Sequence, residues 1–194
     1  RFRFLRSHLT FHIIGLTGRN AAGKGTVANL LTERSFEYHS LSDTLRNELK
    51  KREIEESREE LIRIGNELRS SGGPGVLADM MIKNISIRGN HIIDSIRNPS
   101  EVDSLNRTYS VHEFCLISVD ASPEIRFQRL KQRGRAGDSS TWKQFLDQEA
   151  LEESSSDPNR QQLLLTMKMA DFNVDNSGTV GQLRNQIDKI LEDL

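Results

Sequence analysis

Cysteine is almost missing from this chain: one residue, Cys115, stands among 194. A lone thiol closes no intramolecular disulfide and builds no zinc site with other thiols. Its apolar neighbours Phe114, Leu116 and Ile117 mark it as a core residue. Long apolar runs are missing as well, and nothing approaches the roughly 18 consecutive apolar residues that a membrane span needs. An excess of charge of one sign is also lacking. The 27 Lys and Arg nearly balance the 28 Asp and Glu, for a formal net charge of −1. A general nucleic-acid binder carries a basic stripe, so no nucleic-acid partner and no membrane partner are expected. A reducing, cytoplasmic setting is the compatible one. No internal repeat is present. Four histidines, His12, His39, His91 and His112, fall in or near expected strands. Their scatter reads as structural, with no metal cluster.

An initiator Met is absent too. The opening Arg1-Phe-Arg-Phe-Leu-Arg6 mixes arginine with apolar residues and has no acid. Residues 1–10 are expected to form a poorly ordered extension, with the end of a targeting segment as the alternative. A start at Arg1 also suits a domain cut from a longer polypeptide.

What is present is ordinary for a globular α/β protein: 35% apolar and 28% charged residues, enough for one core over 11–194. Strands are predicted over 11–17, 36–39, 91–94, 114–119 and 171–175. A helix follows the first strand over 23–33. Ser42-Asp43 reads as the cap of a helix beginning near Thr44, and Ser57 as the cap of the next. Residues 70–75, Ser-Ser-Gly-Gly-Pro-Gly, read as a loop. Further helices are expected over 76–85, 99–105, 125–132, 141–153, 160–169 and 179–194, with a polar loop at 134–140 and a mobile one at 154–158. Trp142 reads as packing its own helix. Alternating strands and helices predict a parallel sheet, here of five strands, covered on both faces. Ligands of such sheets sit beyond the carboxyl ends of the strands.

The first strand runs straight into Gly18-Arg-Asn-Ala-Ala-Gly23-Lys24-Gly25-Thr26. The spacing G-x-x-x-x-G-K between strand and helix is that of a phosphate-binding loop. Backbone N–H groups wrap a phosphate, glycines permit the tight path, and the helix end adds a favourable field. Gly18, Asn20, Ala21, Ala22, Gly23, Lys24, Gly25 and Thr26 are therefore the candidate nucleotide cradle. Lys24 is the mobile point charge for the β and γ oxygens of ATP. The hydroxyl of Thr26 is the candidate Mg²⁺ ligand. The position after Lys24 is Gly25 rather than Ser or Thr. That variant, G-K-G-T, resembles adenylate kinase and its relatives.

From residue 12 to about 191 the chain resembles the nucleoside monophosphate kinase superfamily. The resemblance implies a P-loop three-layer sandwich, acceptor-binding helices over about 40–85 and a short lid over about 133–140, in place of a long zinc-binding lid. It implies ATP and Mg²⁺ as cofactors and a small nucleotide acceptor. The segment His39-Ser-Leu-Ser42-Asp43-Thr44-Leu45-Arg46 is similar to the family's acceptor element, which puts Ser42 and Arg46 on the acceptor phosphate. His91-Ile-Ile-Asp94-Ser-Ile-Arg97 looks like its apolar strand ending in Asp. Asp94 would order water around Mg²⁺, and Arg97 would bridge the two substrates' phosphates, although Arg97 comes one residue early. Arg126, Arg129, Lys131, Arg133 and Arg135 crowd one helix and the loop after it. The family's Arg-x-x-x-Arg pair here implies Arg129 on ATP and Arg133 on the transferring phosphoryl group. Residues 170–179 resemble the last strand and loop of dephospho-coenzyme A kinases, with Asn176 and Gly178 against adenine.

Residues 66–78 look like P-loop domains attached to deoxycytidylate deaminases, which implies a pyrimidine monophosphate and places Arg69 in the acceptor pocket. Dephospho-coenzyme A kinase remains the rival, sharing Gly15-Leu-Thr-Gly18 and Asn176-Ser-Gly178. That family has an acidic pair after the second strand where this chain offers only Asp43. A nucleotide-sensing domain without catalysis is the third reading. Lys24→Ala is expected to abolish most turnover and leave the fold intact. A near-wild-type rate in that variant, with an unchanged melting curve, would refute the assignment.

Overall fold

The computed structural model describes residues 12–85, 89–109, 113–134, 138–153 and 156–194. The expected extension at 1–10, Arg135, His112 and part of the expected lid and of the 154–158 loop lie outside them. The elements in order are β1 (Ile13–Thr17), α1 (Lys24–Thr32), β2 (Glu37–Ser40), α2 (Leu41–Lys51), α3 (Arg58–Gly72), α4 (Val76–Ile82), β3 (His91–Asp94), α5 (Pro99–Thr108), β4 (Phe114–Asp120), α6 (Pro123–Arg133), α7 (Trp142–Glu153), α8 (Leu163–Lys168), β5 (Phe172–Asp175) and α9 (Val180–Asp193).

All five strands are parallel, in the order β2-β3-β1-β4-β5. β1 is buried along its whole length. Its side chains alternate between two cores, as a strand covered on both faces must. Ile14 and Leu16 pack with Val27 and Leu31 of α1 and with Leu183 and Ile187 of α9. Ile13 packs on the other face with Leu41, Leu77, Val102 and Leu105 of α2, α4 and α5. The three-layer sandwich expected from the sequence is present. No helix among the described residues is long and apolar enough to cross a membrane.

Several boundaries differ from the sequence reading: α4 ends at Ile82 rather than 85, and α5 runs on to Thr108 rather than 105. α2 is capped by Ser40, whose Oγ accepts from Ser42 N at 3.3 Å, so the helix begins at Leu41 rather than near Thr44. Ser40 ends β2 in an extended conformation, and the chain turns from strand to helix with no linker. α3 takes in Ser70, Ser71 and Gly72, which composition assigned to a loop. Its end comes at Gly73, at φ 91. α8 starts at Leu163, not at 160, because Asn98 Nδ2 holds the carbonyls of Pro158 and Arg160 at 2.8 Å each in a turn.

Helix α3 is tied to α5 by a buried ion pair. Arg69 of α3 is 3% exposed and Glu101 of α5 is fully buried. Arg69 Nη2 and Nε donate to Glu101 Oε1 at 2.7 and 3.2 Å. The other carboxylate oxygen accepts from the backbone N–H of Arg97 at 2.8 Å and of Asn98 at 3.1 Å. Four donors on one carboxylate offset its desolvation. Arg126, placed by the sequence in a cationic cluster on the α6 surface, is instead 2% exposed. It is paired with Glu149 of α7 and donates to Ala121 O at 2.8 Å. Trp142 packs on Phe145 of its own helix at 5.2 Å between ring centroids, and also edge-on to Phe127 of α6 at 5.3 Å.

Truncating one partner of a buried pair leaves the other charge uncompensated, at a cost of about 3–5 kcal/mol. Glu101→Ala is expected to lose that much in urea unfolding, and Glu101→Gln clearly less. A loss below about 1 kcal/mol for Glu101→Ala would contradict the pairing.

Candidate active site

β1 ends at the centre of the sheet, and the chain leaves it through Gly18 at φ 135. A Cβ there would lie 2.0 Å from Val119 O of β4, so no other residue fits. Gly23, at φ 97, precedes α1, and its Cβ would meet Asn176 Nδ2 at 2.0 Å. Between them Ala21 also takes a positive φ, 60°. No side chain caps the start of α1. Thr26 N donates to Gly23 O at 2.9 Å, which leaves the helix-start N–H groups of Lys24 and Gly25 as the donors that an anion there would use.

Three elements hold this loop in shape. Asn176, 5% exposed, donates from Nδ2 to Ala22 O at 2.9 Å. Arg129 of α6 donates to Ala22 O at 3.2 Å and Ala21 O at 3.4 Å, and to Asn176 O at 2.8 Å. Lys24 Nζ donates to Gly18 O at 2.7 Å and Arg19 O at 3.1 Å. Arg19 is itself paired with Asp120 at the end of β4. Arg129 and Asn176, expected at the nucleotide, thus stand at the loop by gripping its carbonyls. Gly178 lies two residues on, where its Cβ would run into Gln182 Oε1 at 2.2 Å.

Asp94 ends β3 beside the loop and is 7% exposed. It accepts from Tyr38 Oη at 2.9 Å and from Ser95 N at 2.5 Å. Burial first, and the Asp94 carboxylate second, push the Tyr38 phenol up to about 12, so it stays a donor. Thr26 lies in the first turn of α1. Its hydroxyl and the Asp94 carboxylate are hard oxygen donors of the kind Mg²⁺ takes.

Next to the loop is a cavity of about 530 Å³ whose lining includes Asn20, Ser42, Arg46, Arg69, Arg97 and Arg133. Four arginines from four segments therefore border one space, together with the acidic Glu56, Glu59 and Asp138. Arg46 is held by Asp43 at 2.8 Å and Glu56 at 3.0 Å. Arg97 donates to Gln161 Oε1 at 3.3 Å. Arg133, on the last turn of α6, pairs with Asp138 at 2.5 Å and reaches Asn20 Oδ1 at 3.5 Å. Arg69 lines the cavity with its charge already engaged by Glu101.

Sequence reasoning missed Tyr38, Glu101, Asn98 and Asp120. The capping pattern Asn98-Pro-Ser-Glu101 was readable, and both of its hydrogen bonds form. Tyr38 becomes visible only with the register Tyr38↔Ile92, which puts it on the same face as Asp94. The expectation of scattered histidines fails at one place: His39 Nε2 and His91 Nδ1 are 3.1 Å apart.

Comparison with known proteins agrees with this architecture. The family model described as AAA domain matches residues 14–153. The UPF0200 protein of Pyrococcus horikoshii is 30% identical over 92% of this chain and 95% of its own length. Among solved structures, TT1252 from Thermus thermophilus superposes with a TM-score of 0.61 at 17% identity, over 95% of this chain and 98% of that one. Shikimate kinase from Acinetobacter baumannii, in complex with shikimate, gives 0.56 at 15% identity, over 94% of this chain and 92% of that one. These two likenesses are of fold: a parallel α/β P-loop kinase fold.

Lys24 has a pH signature. Burial, then the Arg97 guanidinium, lowers its ammonium from 10.5 to about 8, with Asp94 and Asp120 pulling the other way. Between those two values the folded chain has lost a proton that the unfolded chain keeps, so this group's contribution to stability rises with pH there. A polyphosphate in the loop favours the charged form and reverses the shift. ATP binding should take up a proton above pH 8, and affinity should fall by up to about tenfold per pH unit from there. Calorimetry in buffers of different ionisation enthalpy reads this directly. Lys24→Arg should flatten the profile, and an affinity that rose with pH would contradict it.

Proposed function

We propose a function from the premise that the chain belongs to the AAA domain family, alongside the UPF0200 proteins: ATP-dependent phosphoryl transfer to a nucleoside or deoxynucleoside monophosphate. One observation carries the reading. A cavity wide enough for a nucleotide opens on the phosphate loop, and Arg46, Arg69, Arg97 and Arg133 line it. Glu56, Glu59 and Asp138 share the lining, and Arg69 is engaged by Glu101, so Arg46, Arg97 and Arg133 are the guanidinium groups that a negatively charged acceptor would draw from their present partners.

In this mechanism the ATP tail lies in the turn 18–26, with Lys24 swinging from the Gly18 and Arg19 carbonyls onto the β and γ oxygens. Thr26 and Asp94 would hold Mg²⁺, which when bound neutralises charge between the phosphates. Tyr38 and the Ser95 N–H fix the orientation of the Asp94 carboxylate. Ser42 and Arg46 hold the acceptor phosphate. Arg97 sits between the two substrates, its backbone fixed by Glu101. Arg133 reaches the phosphoryl group in flight from the end of α6, exchanging Asp138 for the substrate. Transfer is in line and needs alignment and charge neutralisation rather than a protein nucleophile. A phosphate acceptor is already an anion, so no strong general base is needed.

Dephospho-coenzyme A kinase stays the rival enzyme, and a nucleotide sensor the rival of another class. ADP release with ATP-Mg²⁺ should be measured against a panel of monophosphates, dephospho-coenzyme A and shikimate. Turnover is expected with at least one nucleoside monophosphate. Arg46→Ala should raise the KM for that acceptor by about tenfold or more, the loss of a charge-assisted hydrogen bond, with little change in the KM for ATP. Turnover with no acceptor would favour the sensor. A change confined to the KM for ATP would remove Arg46 from the acceptor site.

A further inference from the structure

On one face of β2 and β3, three side chains converge that the proposed transfer does not use. Glu37 opens β2 and His39 follows two residues on, so both point to the same side of the strand. His91 opens β3 and is the register partner of Glu37, which puts its side chain on that side too. The two imidazole nitrogens, His39 Nε2 and His91 Nδ1, stand 3.1 Å apart. The Glu37 carboxylate lies 3.7 Å from the first and 3.8 Å from the second. His91 is 1% exposed, whereas Glu37 on the edge strand is open to solvent.

We infer that Glu37, His39 and His91 form a three-ligand site for a divalent transition cation, Zn²⁺ in particular, bridging β2 and β3. Metal–ligand bonds of about 2.0–2.1 Å in a tetrahedron separate the ligand atoms by about 3.3 Å. The imidazole nitrogens stand 3.1 Å apart, and the carboxylate straddles them, with Oε1 3.7 Å from His39 and Oε2 3.8 Å from His91, a few tenths of an ångström wider than that figure. Two imidazoles and one carboxylate match a borderline cation better than Mg²⁺ or Ca²⁺, which prefer oxygen throughout. A fourth position is left to water on the exposed side.

The site has a structural consequence. Among the described residues β2 is an edge strand, bonded to β3. It runs without a linker into α2, which carries Ser42 and Arg46. A cation joining Glu37 and His39 to His91 would fasten that edge, and with it the base of the acceptor helices. None of the three ligands belongs to the phosphate loop or to the residues assigned to transfer, so the site stands whether or not the transfer reaction does.

The test uses the full chain, free of any affinity tag and stripped with EDTA. Zn²⁺ is added in competition with a chromophoric indicator, and Co²⁺ in a parallel titration read by its visible ligand-field bands. One equivalent of Zn²⁺ per chain is expected. His39→Ala and Glu37→Gln should each weaken it by more than about tenfold, the range that even supporting residues cause at metal sites. His39→Ala should also abolish the cobalt bands while its melting curve in EDTA matches that of the wild type. Lys24→Ala should keep the full equivalent. No zinc taken from the indicator by the wild type, or an equivalent unchanged in His39→Ala and Glu37→Gln, would overturn the inference and leave a hydrogen-bonded imidazole pair.

Discussion

The structure depends on a turn of backbone, residues 18–23, wedged between the end of β1 and the start of α1. Several of its carbonyls are held by side chains, and the N–H of Ala22 by the carbonyl of Arg19 at 3.3 Å. Asn176 and Arg129 take the Ala22 carbonyl, and Lys24 takes those of Gly18 and Arg19. The turn can lie this close to β4 and to Asn176 because Gly18 and Gly23 have no Cβ. The anion site is thus assembled by β4, α6 and the loop before α9, none of which contributes to the motif itself. Its shape is set before any ligand arrives, which is what electrostatic stabilisation of a phosphoryl group needs.

The other half of the site is organised by Glu101. One fully buried carboxylate positions the Arg69 guanidinium and the backbone of Arg97 and Asn98. Asn98 in turn anchors residues 158 and 160 near Gln161, the partner of Arg97. Two of the cavity's arginines, Arg69 and Arg97, are therefore placed by a core carboxylate, and core packing and site geometry are one problem here. Arg69 carries both duties, and its engagement with Glu101 argues that it shapes the pocket wall more than it grips a ligand.

Much of the fold was legible in the sequence because the strands announce themselves. Residues 91–94 and 114–119 are short β-branched or apolar runs between turn signals, and both are strands to within a residue. The Gly18–Thr26 spacing is legible for a stronger reason: each position answers a stated geometric demand. The start of α2 and the end of α3 were misread, since Ser40 rather than Ser42 found itself at the strand's end, and a glycine can close a helix from inside it as well as follow it. Arg126 was misread because a surface-like helical charge pattern says nothing of a Glu149 arriving from the next helix. Tyr38, Glu101 and the His39–His91 pair were beyond reach for one common reason. Each depends on a partner from another strand or helix, and a contact of that kind exists only once register and layer are known.

The central claim is that the turn after β1 receives the polyphosphate. The measurement that meets it most directly is the change in backbone ¹⁵N and ¹H chemical shifts on adding ATP-Mg²⁺. The account predicts the largest shifts at Gly23, Lys24, Gly25 and Thr26. Unmoved resonances there, with saturation registered elsewhere in the chain, would contradict it.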